Sequence, residues 1–278
     1  MLLDLPTHTA KRYVQPLREG GSLPAVVDTD GGSFVVKFRG AGQGPKALIA
    51  ELIVAMLART LYLPVPDLAI IDVPPAFGRS EPDPEIQDLL RGSHGVNVGL
   101  RYLDGAFNLE LPAAGDLISP EFAARLVWLD AYVTNPDRTH KNPNLLIWRR
   151  RPWLIDHGAA LYAHHDWASA DAARTRTPFP LIKDHVLLAV SDPIGDIDAE
   201  SAERLGGTML EEILQRVPDA LFAAAGNGRE FASPDEGRGR YIRYLRERLS
   251  APRAFVAEAS AAREAQRSAV RRPLTARR

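Results

Sequence analysis

Between Val133 and Gly158 the chain reads VTNPDRTHKNPNLLIWRRRPWLIDHG, which concentrates side chains able to do chemistry. Thr134 to Asn144 is polar and carries Asn135, Asp137, Arg138, His140, Lys141, Asn142 and Asn144. Two apolar runs follow, Leu145–Trp148 and Trp153–Ile155, separated by Arg149, Arg150, Arg151 and Pro152, and the second ends in Asp156. Short apolar runs joined by a polar turn read as a β-hairpin. Such a hairpin sets Asn142, just before its first strand, beside Asp156, at the end of its second, with Asp137 five residues before Asn142 in the same loop. One carboxylate as a base, with an amide and a second carboxylate as hard oxygen ligands, is a donor set suited to Mg2+ and nucleotide phosphates. Taken singly, Asp137 and Asn142 read better as turn-capping residues. The ordered set, with a hairpin between the two metal ligands, points to phosphoryl transfer.

Other elements must hold this stretch in place. Ser119-Pro120-Glu121 opens a helix, with Ser as N-cap and Pro in the first turn. Phe122, Leu126, Leu129 and Val133 form its apolar stripe, so the helix delivers the polar loop, and Trp128 reads as core. Towards the N-terminus, residues 11–17, Pro24–Asp28 and Ser33–Phe38 read as three antiparallel strands in a meander with glycine turns. Gly20, Gly21 and Ser22, in the first turn, either let backbone N–H groups approach phosphate or simply make the turn. Lys37 interrupts the apolar run of the third strand, facing either solvent or the interior. The helix Pro45–Leu61 follows, and Glu51 is a lone acid among Leu48, Ile49, Leu52, Ile53, Met56 and Leu57. Each alone reads as solvent-facing, but in phosphoryl-transfer sites of the kind above a third-strand lysine pairs with a glutamate on the next helix, which makes Lys37–Glu51 the expected pair. Leu68–Val73 and Val96–Leu103 read as further strands. Residues 74–94, rich in Pro, Gly, Asp and Glu, read as a long mobile insertion with a helical turn at Glu85–Leu90. Residues 104–118 read as a linker.

After Gly158 the chain is mainly helical, with candidates at 164–173, 181–190, 198–216, 218–225 and 236–266, and a turn at Asp192–Gly195. Adjacent His164, His165 and Asp166 read as solvated rather than as a metal site. Residues 251–278 carry seven arginines against two glutamates and read as a solvated basic helix with a frayed end.

The composition sets outer limits. With 278 residues, 45% hydrophobic and 25% charged, the chain is sized for one large or two small globular domains. A net charge of -1 gives no whole-chain argument for nucleic acid or a membrane surface, and neither is expected as a partner. The absence of cysteine removes thiolate chemistry and disulfides and fits a cytoplasmic location. No charged start followed by a long apolar core is present, so no leader is expected, and no run of about 20 apolar residues spans a bilayer.

The order Gly20-Gly21-Ser22, VVKF, Glu51 on a helix, NPDRTHKNPNLL and LIDHG resembles the HipA-like kinase group, over roughly residues 20–165. The resemblance implies an α+β, two-lobed protein-kinase-like fold. Its N-lobe, residues 1–104, would be a small antiparallel sheet with one main helix, and its C-lobe, residues 105–278, would be mostly helical. It implies ATP and Mg2+, with Gly20, Gly21, Ser22 and Lys37 at the phosphates and Glu51 orienting Lys37. Asp137 would accept the proton of an acceptor hydroxyl, Arg138 would orient the loop, and Asn142 and Asp156 would bind the metal. Asn135 and Asn144 look like supports. One departure is His157, which stands where protein kinases carry Phe after the metal-binding Asp. The acceptor expected is protein Ser or Thr, or the enzyme itself. The alternatives are a small molecule, as in aminoglycoside phosphotransferases, and a nucleotide-binding regulatory module without transfer.

Overall fold

Strands are made where β-branched and aromatic residues alternate between two apolar environments. In the computed structural model, which describes residues 4–17, 23–79, 81–110, 117–226 and 230–271, this pattern closes a barrel. Strands β1 (Thr7–Pro16), β2 (Ala25–Thr29) and β3 (Gly32–Lys37) form the expected antiparallel meander, with the two-residue turn Asp30-Gly31 between β2 and β3. β4 (Leu68–Val73) and β5 (Gly95–Arg101) complete it in the order β1-β2-β3-β5-β4, and β1 closes onto β4 in parallel, Thr7 opposite Ile70. The open meander read from the sequence is thus part of a closed sheet, which leaves no unpaired edge.

β4 shows why both faces are apolar. Ala69, Ile71 and Val73 point into the barrel with Val27, Phe34 and Val36, whereas Leu68 and Ile70 point out against the helix α1 (Gly44–Thr60). Close packing inside the barrel needs Gly99, since a Cβ there would stand 2.7 Å from Ile71 Cγ1. The segment expected to be a mobile insertion is instead a plug. α2 (Pro84–Arg91), capped by Asp83, sends Ile86 and Leu90 with Phe77 into the barrel core. Its amphipathic spacing outweighs the Pro/Gly punctuation around it.

α1 is buried on nearly every side, from Ala47 to Thr60. It joins the outer face of the barrel to the helical remainder through one continuous core that includes α3 (Pro120–Tyr132). Ser119 caps α3 as expected, its Oγ accepting from the Phe122 N–H at 3.1 Å. α3 is covered all round from Ala123 to Tyr132 rather than along one stripe, because α9 (Ala254–Arg271) packs on it through Phe255, Val256 and Ala259. The basic C-terminal helix is therefore not simply solvated. Arg253, just before it, forms an ion pair with Asp198 at 2.7 Å, and within it Arg263 Nε donates to the Ser191 carbonyl at 2.9 Å.

The expected linker contains a short strand β6 (Phe107–Asn108), which pairs with β7 (Leu145–Trp148), and β7 pairs with β8 (Arg151–Leu154). The hairpin turn is tighter than the sequence suggested. Only Arg149 and Arg150 lie in it, at φ 49° and 60°, while Arg151 and Pro152 belong to β8. The expected helices at 164–173 and 181–190 are mostly 3-10 turns, with one short α-helix, α4 (Ala172–Thr175). The segment 198–216 splits into α5 (Asp198–Arg204) and α6 (Met209–Arg216). α7 (Asp219–Gly226) matches its expected span, and 236–266 divides into α8 (Pro234–Leu249) and α9. His164 is buried rather than solvated, with Tyr241 Oη 3.1 Å from its Nδ1 and the His165 ring against its Nε2. Together these elements form a mixed α+β fold.

Candidate functional site

The site begins at the last residue of β3. Lys37 leaves the strand into the space between the barrel and α1, where its Nζ donates to Glu51 Oε2 at 2.7 Å and to Asp156 Oδ1 at 2.6 Å. Burial disfavours its charge, but the two carboxylates outweigh that and hold its pKa above the usual lysine value. Glu51 is fully buried on α1. Its Oε2 also accepts the backbone N–H of His157 at 2.7 Å, so a single carboxylate oxygen ties β3, α1 and the residue after Asp156 together. The other oxygen, Oε1, is buried with no partner. Asp156 is raised by burial and lowered more by Lys37, so it stays ionised. Its side chain is 41% exposed, and its backbone is left-handed at φ 55°, a conformation Asp tolerates better than most residues.

The loop after α3 carries the second group. Asn142 Nδ2 donates to Asp137 Oδ2 at 2.8 Å, and Asn144 Nδ2 donates to the same oxygen at 3.1 Å. Asn135 Oδ1 accepts the Asp137 N–H at 3.1 Å. The loop is entered through Thr134 at φ 53° and left through Asn144 at φ 49°. A β-branched residue is strained there, and such strain persists only where surroundings enforce it.

What enforces it is a buried cluster that joins Arg138 and Asn135 to two residues the sequence did not single out, Asp130 and His185. Asp130, in the last turn of α3, is fully buried, and an acid near a helix C-terminus is disfavoured unless it is compensated. It is compensated on both oxygens. Oδ1 accepts from Asn135 Nδ2 at 2.9 Å. Oδ2 accepts from Arg138 Nε at 2.6 Å and from His185 Nε2 at 3.0 Å. Burial pushes the Asp130 pKa up, and Arg138 and His185 drive it well below the carboxylate range. His185 Nδ1 accepts the Leu187 N–H at 3.1 Å, which fixes the proton on Nε2 and makes the ring a neutral donor to Asp130. Arg138 uses its remaining donors on the loop: Nη1 donates to the Asn144 carbonyl at 2.5 Å, and Nη2 meets His157 Nδ1 at 3.3 Å.

The residues singled out in the sequence therefore fall into two groups. Lys37 donates to both Glu51 and Asp156, and Asp137 accepts from both Asn142 and Asn144. The groups are linked by the Arg138–His157 contact and by the Ile155 N–H donating to the Asn144 carbonyl at 3.1 Å. Gly20, Gly21 and Ser22 lie outside the described residues. Asp130 carried a signal of the same kind as Glu51, a lone acid in an apolar helix, whereas His185 lies in a stretch without a pattern. Asn97, also missed, anchors the chain just beyond Lys37. Its Oδ1 accepts the Arg39 N–H at 2.8 Å while its Nδ2 donates to the carbonyls of Ser93 and Gly95.

Chemically, a cation between two carboxylates can exchange one of them for phosphate oxygens. Asp156, Asn142 and Asp137 offer hard oxygens, while the described residues contain no cluster of three or more His, Cys, Asp or Glu side chains able to enclose a metal alone. That donor set fits Mg2+, which is commonly held by one or two carboxylates and completed by phosphates and water.

A family model described as HipA-like kinase matches residues 14–173. A search of curated proteins returned no match. The match covers more than half of the chain and includes Lys37, Glu51 and the whole loop from Asn135 to Asp156. The chain belongs to the HipA-like kinase family, and at the level of that family it is a phosphotransferase.

Proposed function

We propose that the protein is an ATP- and Mg2+-dependent kinase that transfers the γ-phosphoryl group to a serine or threonine hydroxyl, of another protein or of itself. The observation that carries this reading is Lys37, buried and clamped between Glu51 and Asp156. In this reading residues 1–104 act as the N-lobe and residues 105–278 as the C-lobe, with nucleotide between them.

Each residue has a physical task. Glu51 holds Lys37 pointing inward, ready to meet the α- and β-phosphates. Asp156 and Asn142 would hold Mg2+, which when bound neutralises phosphate charge. Asp137 sits at the acceptor side with one oxygen fixed by two asparagine amides, and its carboxylate takes the hydroxyl proton. The hydroxyl oxygen then bonds to the γ-phosphorus while the bond from phosphorus to the bridging oxygen breaks, leaving ADP. Little covalent work falls to the protein in such a step, so positioning supplies most of the acceleration. The Asp130 cluster supplies that positioning.

The test combines calorimetry of Mg·ATP binding, radiolabel transfer and mass spectrometry for self-phosphorylation. Asp137→Asn is expected to cut transfer by about 10²–10⁴-fold and to keep nucleotide binding. Full transfer by that variant would end the role given to Asp137. Tight ATP binding by the wild-type protein with no labelled acceptor would make it a nucleotide-binding regulator instead.

A further inference from the structure

A cavity of about 400 Å3 lies against the loop that carries Asp137, and its lining includes neither Lys37 nor Asp156. Thr134 and Pro136, which run up to Asp137, form one wall. The chain after Gly158 forms another, with Phe179 buried in it. Two large apolar side chains at this wall, Tyr162 and Leu181, are left 66% and 52% exposed. Apolar surface concentrated beside a cavity marks a place where something is meant to bind.

The floor is built by Tyr244 and Arg248 of α8. Arg248 places a cation there, yet it has little to offer a ligand. Its Nε donates to the Tyr132 carbonyl at 2.6 Å, Nη2 to Ala131 at 2.9 Å, and Nη1 to Thr175 at 2.8 Å and Thr177 at 3.3 Å. Those bonds fasten the segment around Thr175 to α8, so the cavity is formed before any ligand arrives. The other charged lining residues are Asp166 and Arg174, both exposed and one of each sign.

We infer that this cavity is the acceptor subsite, and that it takes a large apolar side chain flanking the phosphorylated Ser or Thr of a peptide. The inference rests on the kinase reading for the word acceptor. A polycationic small molecule would meet a single carboxylate here, Asp166, and a polyanionic one a single uncommitted guanidinium, Arg174. An apolar side chain is matched by Phe179, Leu181 and Tyr162, and the neighbouring hydroxyl is then led along Pro136 towards Asp137.

The test uses the full chain and fluorescent Ser peptides alike except for the residues flanking Ser, which are Leu, Lys or Glu. Anisotropy reads binding, and radiolabel from Mg·ATP reads transfer. The wild-type protein is expected to prefer the Leu-flanked peptide by about tenfold in both readouts. Leu181→Asp is expected to shift the order towards the Lys-flanked peptide, and Tyr162→Ala to shrink the Leu preference severalfold. Each comparison is a ratio within one protein, so a general loss of activity cannot imitate it, and circular dichroism confirms that both surface variants are folded. Equal binding of the three peptides, or an unchanged order in Leu181→Asp, overturns the inference. Ordered binding without label sinks the kinase reading and leaves the cavity as a peptide site, whereas label without flank preference does the reverse.

Discussion

Two charge clusters meet at the Arg138–His157 contact, and they differ in completeness. Around Asp130 every partner is sealed: the side chains of Asp130, Arg138 and His185 are at most 2% exposed, and both carboxylate oxygens are bonded. Around Lys37 the account stays open. Asp156 is 41% exposed, and Glu51 Oε1 is buried without a partner. A buried polar atom without a partner is costly, and it is tolerated where a ligand or its water completes the set. The sealed cluster fixes geometry and the open one exchanges partners, so damage to the two should register in different measurements.

The largest effect on stability is expected from the sealed cluster. Asp130→Asn leaves Arg138 buried without a counter-charge and should cost about 3–5 kcal/mol in urea unfolding, with transfer falling as the loop loses its anchor. A loss below about 1 kcal/mol would mean that the cluster does not hold the loop.

Acid separates the buried histidines from the open cluster. Burial, reinforced by His165 and Lys46, pulls the His164 pKa down from 6.5 to about 3; burial also takes His157 down to about 4 and leaves His185 lowered despite Asp130. The unfolded chain therefore binds protons that the folded one refuses. Stability is complete above about pH 6.5 and falls as the pH drops through that value, by up to about 1.4 kcal/mol per pH unit for each histidine. Asp156 is shifted in the same direction, lowered from 3.8, so its contribution is complete above that value and is lost only as the pH falls below it. Urea unfolding at pH 7, 6 and 5 should thus show a slope that His164→Gln reduces. A pH-independent stability across that interval would contradict the burial of these rings.

Asp156→Asn inverts the pattern of Asp130→Asn. Asn accepts the left-handed backbone at this position, and Lys37 keeps Glu51, so unfolding should shift by about 1 kcal/mol or less. Mg·ATP binding and transfer should nonetheless collapse. A variant as damaged in stability as Asp130→Asn would place Asp156 in the structural class instead.

How much of this the sequence revealed depends on how far apart the partners lie. Lys37 and Glu51 stood out as lone charges inside apolar segments, and the structure pairs them at 2.7 Å. The hairpin was legible because its signals are local. Barrel closure was not, since the pairing of β1 with β4 depends on contacts between distant residues that no local pattern encodes. α2 was half seen because turn residues around it suggested a loose loop, while burial of Ile86 and Leu90 decided otherwise. His185 was invisible because its link to the loop is a hydrogen bond to Asp130, on a helix distant in the chain.

The smallest effect comes from strain outside both clusters. Arg150 holds φ 60° in the β7–β8 turn and is exposed, so its left-handed backbone costs energy without positioning any functional group. Arg150→Gly removes about 1–2 kcal/mol of steric cost and adds about 0.5–1 kcal/mol of chain entropy, for a net gain of about 0.5 kcal/mol. Arg149→Gly should gain less, because the Arg149 guanidinium lies 4.2 Å from the centre of the Trp148 ring and that contact is lost. Transfer should be unchanged in Arg150→Gly, whereas Asp156→Gly relieves similar strain at φ 55° and should abolish it. If Arg150→Gly also lowered transfer, the hairpin would be tuning Asp156, and the line drawn between the open cluster and its scaffold would have to move outward to the turn.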